Sequence, residues 1–411
     1  MGHSFYIPVM GTGFTIDTPI RVAHFGISSV ISLADDLLIE KIRRHYSGQY
    51  SIPYERIPAS EEDGRARRIT AYLNLVGQIV HMKMEKVKKE PFFENNDKRT
   101  YFEMLPLSSS LRKAYNRLMD MAPGEGRTAL AEDLTARMVP GAIDVNVMVK
   151  VDSTPYSPEG HMLDDMFSHA KAGLRGFANS RLESASMVFS AGINKGLFRY
   201  MASFRDFYRD AMGRIKKKIT LKVSDFRSAL LQGKFLAQMG LEVSEYRIES
   251  GLNCGGHAFG SNGRLLSSIL MEMKEKRGTL TTGFQDRVAA YYQKKGWTYT
   301  APEKGVRPLV TVQGGIGTHG EARRLTETYG VDATGWGTPF LLVPETVCVD
   351  PDLFDLMQNS GVEDLYLSGA SPMGVPFNNL RNTTSEKWAS KQYAAGRPGS
   401  ACPKKYLVSN T

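Results

Sequence analysis

The feature that most constrains the fold of this 411-residue chain is a sustained alternation of short β-rich runs with longer helical patterns. That texture belongs to parallel strands joined by crossover helices. Runs with strand character fall at Phe5 to Met10, Ile27 to Leu33, Ile143 to Val151, Ala185 to Ser190, Ile219 to Val223, Ser244 to Glu249, Pro308 to Gln313 and Val331 to Thr334. They number eight, which is the count that closes a (β/α)8 TIM barrel. Helical segments at Phe226 to Met239, Arg264 to Lys276 and Glu321 to Tyr329 lie between them, with Gly240, Gly278 and Gly330 placed as C-terminal stops.

One connection breaks the pattern. Residues 1–39 carry the first two strands, and from 40 to 133 the chain is polar and helical in texture. An unstructured loop of that length is unusual inside a compact domain, and the periodic apolar positions from Ile69 to Val87 favour helices. The expectation is a helical insertion between strands two and three, set over one end of the barrel. Residues 134–370 then complete the barrel, and 371–411 form a tail that packs on it or leaves it, with no obvious final element.

The composition, 42% hydrophobic and 23% charged, is that of a globular domain. A net charge of +9 raises the question of an anionic partner, so the placement of the charge decides. It is scattered. The densest run, Arg205, Arg209, Arg214, Lys216, Lys217, Lys218 and Lys222, is interrupted by Asp206 and Asp210 and reads as a solvated helix face rather than a nucleic-acid groove. Cys254, Cys348 and Cys402 are widely spaced, match no zinc or redox motif, and fit a reducing compartment. No apolar run approaches a bilayer span and no leader pattern opens the chain, so the expectation is a cytoplasmic protein without a membrane or nucleic-acid partner. Homo-oligomers stay open.

Chemistry concentrates in glycine turns. Val310-Thr311-Val312-Gln313 runs into Gly314-Gly315-Ile316-Gly317-Thr318, and the last strand runs into Gly335-Trp336-Gly337-Thr338. Two such turns after the final strands of a barrel let backbone N–H groups converge on a phosphate, and Thr338 adds a hydroxyl. The plain alternative is glycines that only permit tight turns. Gly315-Ile316-Gly317-Thr318-His319-Gly320 also has the spacing of a dinucleotide fingerprint, although no acidic residue ends the next strand as that motif requires. The sixth strand leads into Gly255-Gly256-His257, and His257 is the candidate acid/base because a neutral imidazole accepts a proton near physiological pH.

Taken together, Gly255-Gly256-His257, Gly314-Gly315-Ile316 and Asp332-Ala333-Thr334-Gly335-Trp336-Gly337-Thr338-Pro339-Phe340-Leu341 resemble the nitronate monooxygenase (2-nitropropane dioxygenase) family in order and spacing. Ile7-Pro8-Val9-Met10-Gly11 with Thr18-Pro19, and Asp144-Val145-Asn146-Val147, are similar to that family's first and third strands. The resemblance covers the barrel strands and not the insertion. It implies FMN, with Gly314, Gly315, Gly337 and Thr338 at the phosphate, Met10, Gly11 and Asn146 along the ribityl chain or ring, Gly255 and Gly256 also at the cofactor, and His257 beside the substrate. Lys222, ending the fifth strand, would offset charge on reduced flavin or be a solvated lysine. The family passes electrons from an alkyl nitronate through flavin to O2. Asn253 and Cys254 stand where it commonly has an acidic residue and alanine, and Gly335 replaces a larger polar residue. The substrate is therefore read broadly as a small anionic or carbonyl-activated molecule. An NAD(P)H-dependent enoyl or quinone reductase on the same barrel and a non-catalytic interaction module are the alternatives.

Overall fold

In the strands, side chains alternate between two environments, and this alternation builds a ring. The computed structural model describes residues 2–11, 13–147, 155–157, 160–190, 192–249, 266–301, 307–368 and 377–398. Eight strands pair in chain order into a closed barrel: β1 Phe5–Ile7, β2 Ser28–Ser32, β3 Ile143–Val147, β4 Ala185–Phe189, β5 Lys217–Val223, β6 Glu245–Glu249, β7 Leu309–Gln313 and β8 Ala333–Gly335. All pairs are parallel, and β1 closes on β8 with Tyr6 opposite Gly335. Outward positions such as Val145, Ile219, Leu221, Tyr246, Ile248, Val310 and Val312 join the main hydrophobic core beneath the surrounding helices. Inside the ring, Tyr6, Val30, Val188 and Ala333 form a small apolar cluster.

All eight expected strands are present, with shifted ends. β1 stops at Ile7, because Pro8 has no N–H to donate to a ladder. Gly240 and Gly330 are left-handed, with φ of 73° and 65°, as helix stops require. Gly278 does not act as a stop: at φ −55° it is the residue from which the helix Thr279–Lys294 starts. The reading of the basic run as a solvated helix face is also corrected. Arg205–Phe207 is a single tight turn, Arg209 is bidentate to Glu242 at 2.6 and 2.8 Å, and Lys217 to Lys222 belong to β5. Lys217 is fully buried, its ammonium donating to Ser180 O, Ser180 Oγ and Leu182 O.

Between β2 and β3 lie helices Asp36–Gln49, Gly64–Lys89, Asp97–Glu103, Ser110–Asp120 and Glu125–Ala136. The long helix Gly64–Lys89 packs along His169–Ala178, and its Ile69, Tyr72, Leu73 and Val76 belong to the main core. It takes a place in the helical ring of the barrel. Past Met84 a second cluster begins, in which Phe102 and Tyr115 stack at 5.2 Å. Tyr101 ties it to the barrel by donating to Val139 O at 3.1 Å and by lying 3.2 Å from where a Cβ on Gly26 would stand. Val139 precedes β3 and Gly26 precedes β2, so this cluster covers the N-terminal end of the barrel, opposite the face where barrel active sites form. After the barrel come an antiparallel pair, β9 Leu365–Ser368 with β10 Phe377–Leu380, and a helix Thr384–Ala394. Among the described residues no helix is long and apolar enough to cross a membrane.

Candidate functional site

At the C-terminal ends of β7 and β8 the two glycine turns lie side by side, because Gln313 pairs with Gly335 in the ladder. Gly314 and Gly315 have φ of 88° and 71°, a region that side chains with a Cβ rarely enter. The amides divide into two sets. Gly314 N–H is used by Gly335 O at 3.3 Å, and Gly317 and Thr318 donate to the Glu321 carboxylate at 2.9 and 3.0 Å. Those bonds hold the Glu321 carboxyl below its usual range, and with the Thr318 hydroxyl they form a capping box on His319–Tyr329. Gly315, Ile316, Gly337 and Thr338 have no acceptor for their amides among the described residues. The N-terminus of His319–Tyr329 is thus occupied by its own glutamate, and the sheet is closed. The dinucleotide-fingerprint reading of Gly315 to Gly320 is overturned on both counts.

Gly335 is sterically required. A Cβ there would lie 2.6 Å from Gln313 Cβ and 2.7 Å from Tyr6 Cζ. The Tyr6 ring therefore takes the space that a larger residue would need. Met10 is buried and comes to 3.8 Å, by its sulfur, from the Cβ position of Gly337. It also packs with Ile7, Val22, Ile27 and Val347, and Gly11 turns the chain beside it at φ 65°.

Asn146, near the end of β3, is buried and its Oδ1 accepts no hydrogen bond among the described residues. A buried acceptor left without a donor costs about 1–3 kcal/mol, so it marks a place for a ligand N–H or O–H or a water. Lys222 forms an ion pair with Glu249 at 3.0 Å, and Glu249 also accepts from Gln313 Nε2 at 2.9 Å. Gln313 in turn accepts from Tyr6 Oη at 3.2 Å. The positive charge of Lys222 is therefore matched within the barrel, and the chain Lys222, Glu249, Gln313, Tyr6 links β5, β6, β7 and β1. His257, Gly255 and Gly256, with Cys254, lie outside the described residues.

Below that chain is a charged layer that sequence reasoning did not single out. Arg247 is 2% exposed; it is bidentate to Glu245 at 2.8 and 3.1 Å, lies 3.9 Å from Asp144, and stacks over the Tyr6 ring at 3.9 Å. Burial, relieved by Arg247 and reinforced by Glu245, pushes the Asp144 carboxyl up to about 6. The signal was present in the strands: Asp144-x-Asn146, Lys218-x-Thr220-x-Lys222 and Glu245-x-Arg247-x-Glu249 put polar groups on every second residue, the period of one strand face.

No family model matches the chain, and no curated protein matches it in sequence. Among solved structures, it is similar to the enoyl reductase domain of MlnA from the macrolactin biosynthesis cluster of Bacillus amyloliquefaciens, at 12% identity and a TM-score of 0.37 over 71% of this chain. The chain spans 60% of that protein's length. It is also similar to a HpcH/HpaI aldolase/citrate lyase family protein from Burkholderia cenocepacia J2315, at 11% identity and a TM-score of 0.25, covering 57% of this chain and 87% of the other. The barrel assignment rests on the strand pairing itself.

Proposed function

We propose that the chain is an FMN-dependent oxidoreductase of nitronate monooxygenase type, acting on a small anionic or carbonyl-activated substrate. One observation carries the reading: among the described residues, the amides of Gly315, Ile316, Gly337 and Thr338 remain unspent on adjacent turns at the C-terminal ends of β7 and β8. Converging backbone N–H groups in a glycine turn suit a phosphate dianion. The unpartnered Oδ1 of Asn146 fits the same group, since a flavin ring carries an N–H donor. FMN, when bound, supplies the redox step that protein side chains cannot.

On this reading the chain's own residues do five things. Gly315, Ile316, Gly337 and Thr338 hold the phosphate. Asn146 orients the ring edge, and Met10 walls the pocket against Gly337. The Lys222–Glu249 pair sets a neutral polar floor rather than a free cation. His257 takes the substrate proton, a role that follows from the family resemblance and from its place after β6.

Anaerobic mixing of the FMN-loaded protein with an alkyl nitronate, NADH and NADPH tests the reading. Bleaching by nitronate supports it. Bleaching by NADPH alone favours the enoyl or quinone reductase, and FMN that no reductant bleaches favours a non-catalytic barrel. His257→Ala is expected to retain flavin and lose turnover, and full activity in that variant removes the role assigned to His257.

A further inference from the structure

A cavity of about 440 Å³ opens at the N-terminal mouth of the barrel, the end opposite the glycine turns. Its volume lies in the range of small-ligand pockets, roughly 300–1,000 Å³. The walls are of two kinds. At the barrel mouth stand Ser28, Asp144, Ser186 and Lys218, on the strands, with Arg307 just before β7. Toward the helices Phe226–Ala237 and Thr279–Lys294 the lining becomes apolar, with Leu241, Leu280, Phe284 and Val288.

Two observations mark this as more than a gap in packing. His3 and Tyr246 both line it, both are at least nine-tenths buried, and His3 Nδ1 and Tyr246 Oη have no hydrogen-bond partner among the described residues. His3 Nε2 is 3.0 Å from Phe25 O, and since a carbonyl only accepts, Nε2 carries the hydrogen and Nδ1 is left as an acceptor. Buried groups of this kind are ordinarily served by a ligand or a water.

The charges select the ligand. Of the ionised side chains lining the cavity, Arg209 is matched by Glu242 and Arg247 by Glu245. What remains is one carboxylate, Asp144, against two cations, Lys218 and Arg307, neither of whose side chains has an ion pair or hydrogen bond among the described residues. The surplus is a single positive charge beside an apolar chamber.

We propose that the N-terminal mouth of the barrel is a second binding site, which takes a small amphiphilic monocarboxylate, its head at Lys218 and Arg307 and its apolar body between helices Phe226–Ala237 and Thr279–Lys294. The site is independent of the flavin assignment, and none of the residues proposed to hold the flavin lines it.

Calorimetric titration of the purified protein with 3-phenylpropionate, and with its uncharged amide, tests this. The acid should bind saturably, and the amide about tenfold or more weakly, a difference of one modest charge contact. Lys218→Gln should weaken the acid by a similar factor and leave the amide unchanged. Thr281→Trp, on the half-buried cavity wall, should abolish binding of both with the melting temperature retained. Acid and amide binding alike, acid binding unchanged in both variants, or no saturable binding at millimolar ligand would each overturn the proposal. The comparison of acid with amide needs no variant, so a folding defect in either substitution does not leave the question open.

Discussion

Asp144→Asn should make the protein more stable, and increasingly so as the pH rises. Asp144 lies inside the barrel with Arg247 3.9 Å away, Glu245 and Lys218 nearby, and Ser186 N–H donating to its Oδ1 at 2.8 Å. Burial is the largest influence and lifts its carboxyl to about 6 from an ordinary 3.8. Below the lower value both folded and unfolded chains hold the proton, and the residue contributes no pH dependence. Between the two values the unfolded chain has released its proton while the folded chain keeps it, so stability falls as pH rises. Above about 6 the loss levels off near 3 kcal/mol, at about 1.4 kcal/mol for each pH unit separating the two values. Asparagine keeps an acceptor for Ser186 and does not titrate. Urea unfolding of both proteins at several pH values gives the difference directly: the variant should gain about 1.4 kcal/mol relative to wild type between about pH 5 and pH 7.5. A difference that is flat over that interval, or that falls, would mean Asp144 ionises as a solvated carboxylate and the charged layer is not dry.

Further substitutions probe the rest of the account. Gly335→Ala places a methyl against Tyr6 and Gln313 and should cost about 1–3 kcal/mol by overpacking, read from urea midpoints. Gly315→Val forces a β-branched residue to φ 71° and should lose about 1–2 kcal/mol from strain together with retention of FMN on gel filtration. Lys217, whose ammonium burial lowers to about 8, should make wild type gain stability from about pH 8 to 10 relative to Lys217→Met, since the unfolded chain holds the extra proton there.

The barrel was legible because the outward residues of most strands are apolar and the strands are followed by a helical period, as in Ile219, Leu221 and Val223 before Phe226–Ala237. The features less legible in the sequence have particular physical causes. Pro8 ends β1 early, although a proline in a strand run already argues for a boundary. The final helix Thr384–Ala394 announces itself by Thr383 and Glu386 at capping-box spacing, and Thr383 does accept from Glu386 N–H at 3.2 Å. The polar alternation in β5 and β6 pointed to a charged interior, but scanning for apolar periodicity passes over it. In the site, the adjacency of the two glycine turns was readable from strand order. Which amides are already spent was not, because that depends on Gly335 O and on the reach of the Glu321 side chain. Likewise Lys222 reads as a free cation until Glu249 is placed beside it across β5 and β6.

On the proposed function, backbone amides after β7 and β8 grip a phosphate. Equilibrium titration of the protein with FMN and with riboflavin, which has the same ring and no phosphate, tests it most directly. Saturable FMN binding, with riboflavin weaker by at least about tenfold, is the predicted result. Equal affinity for the two, or binding of neither, would contradict it.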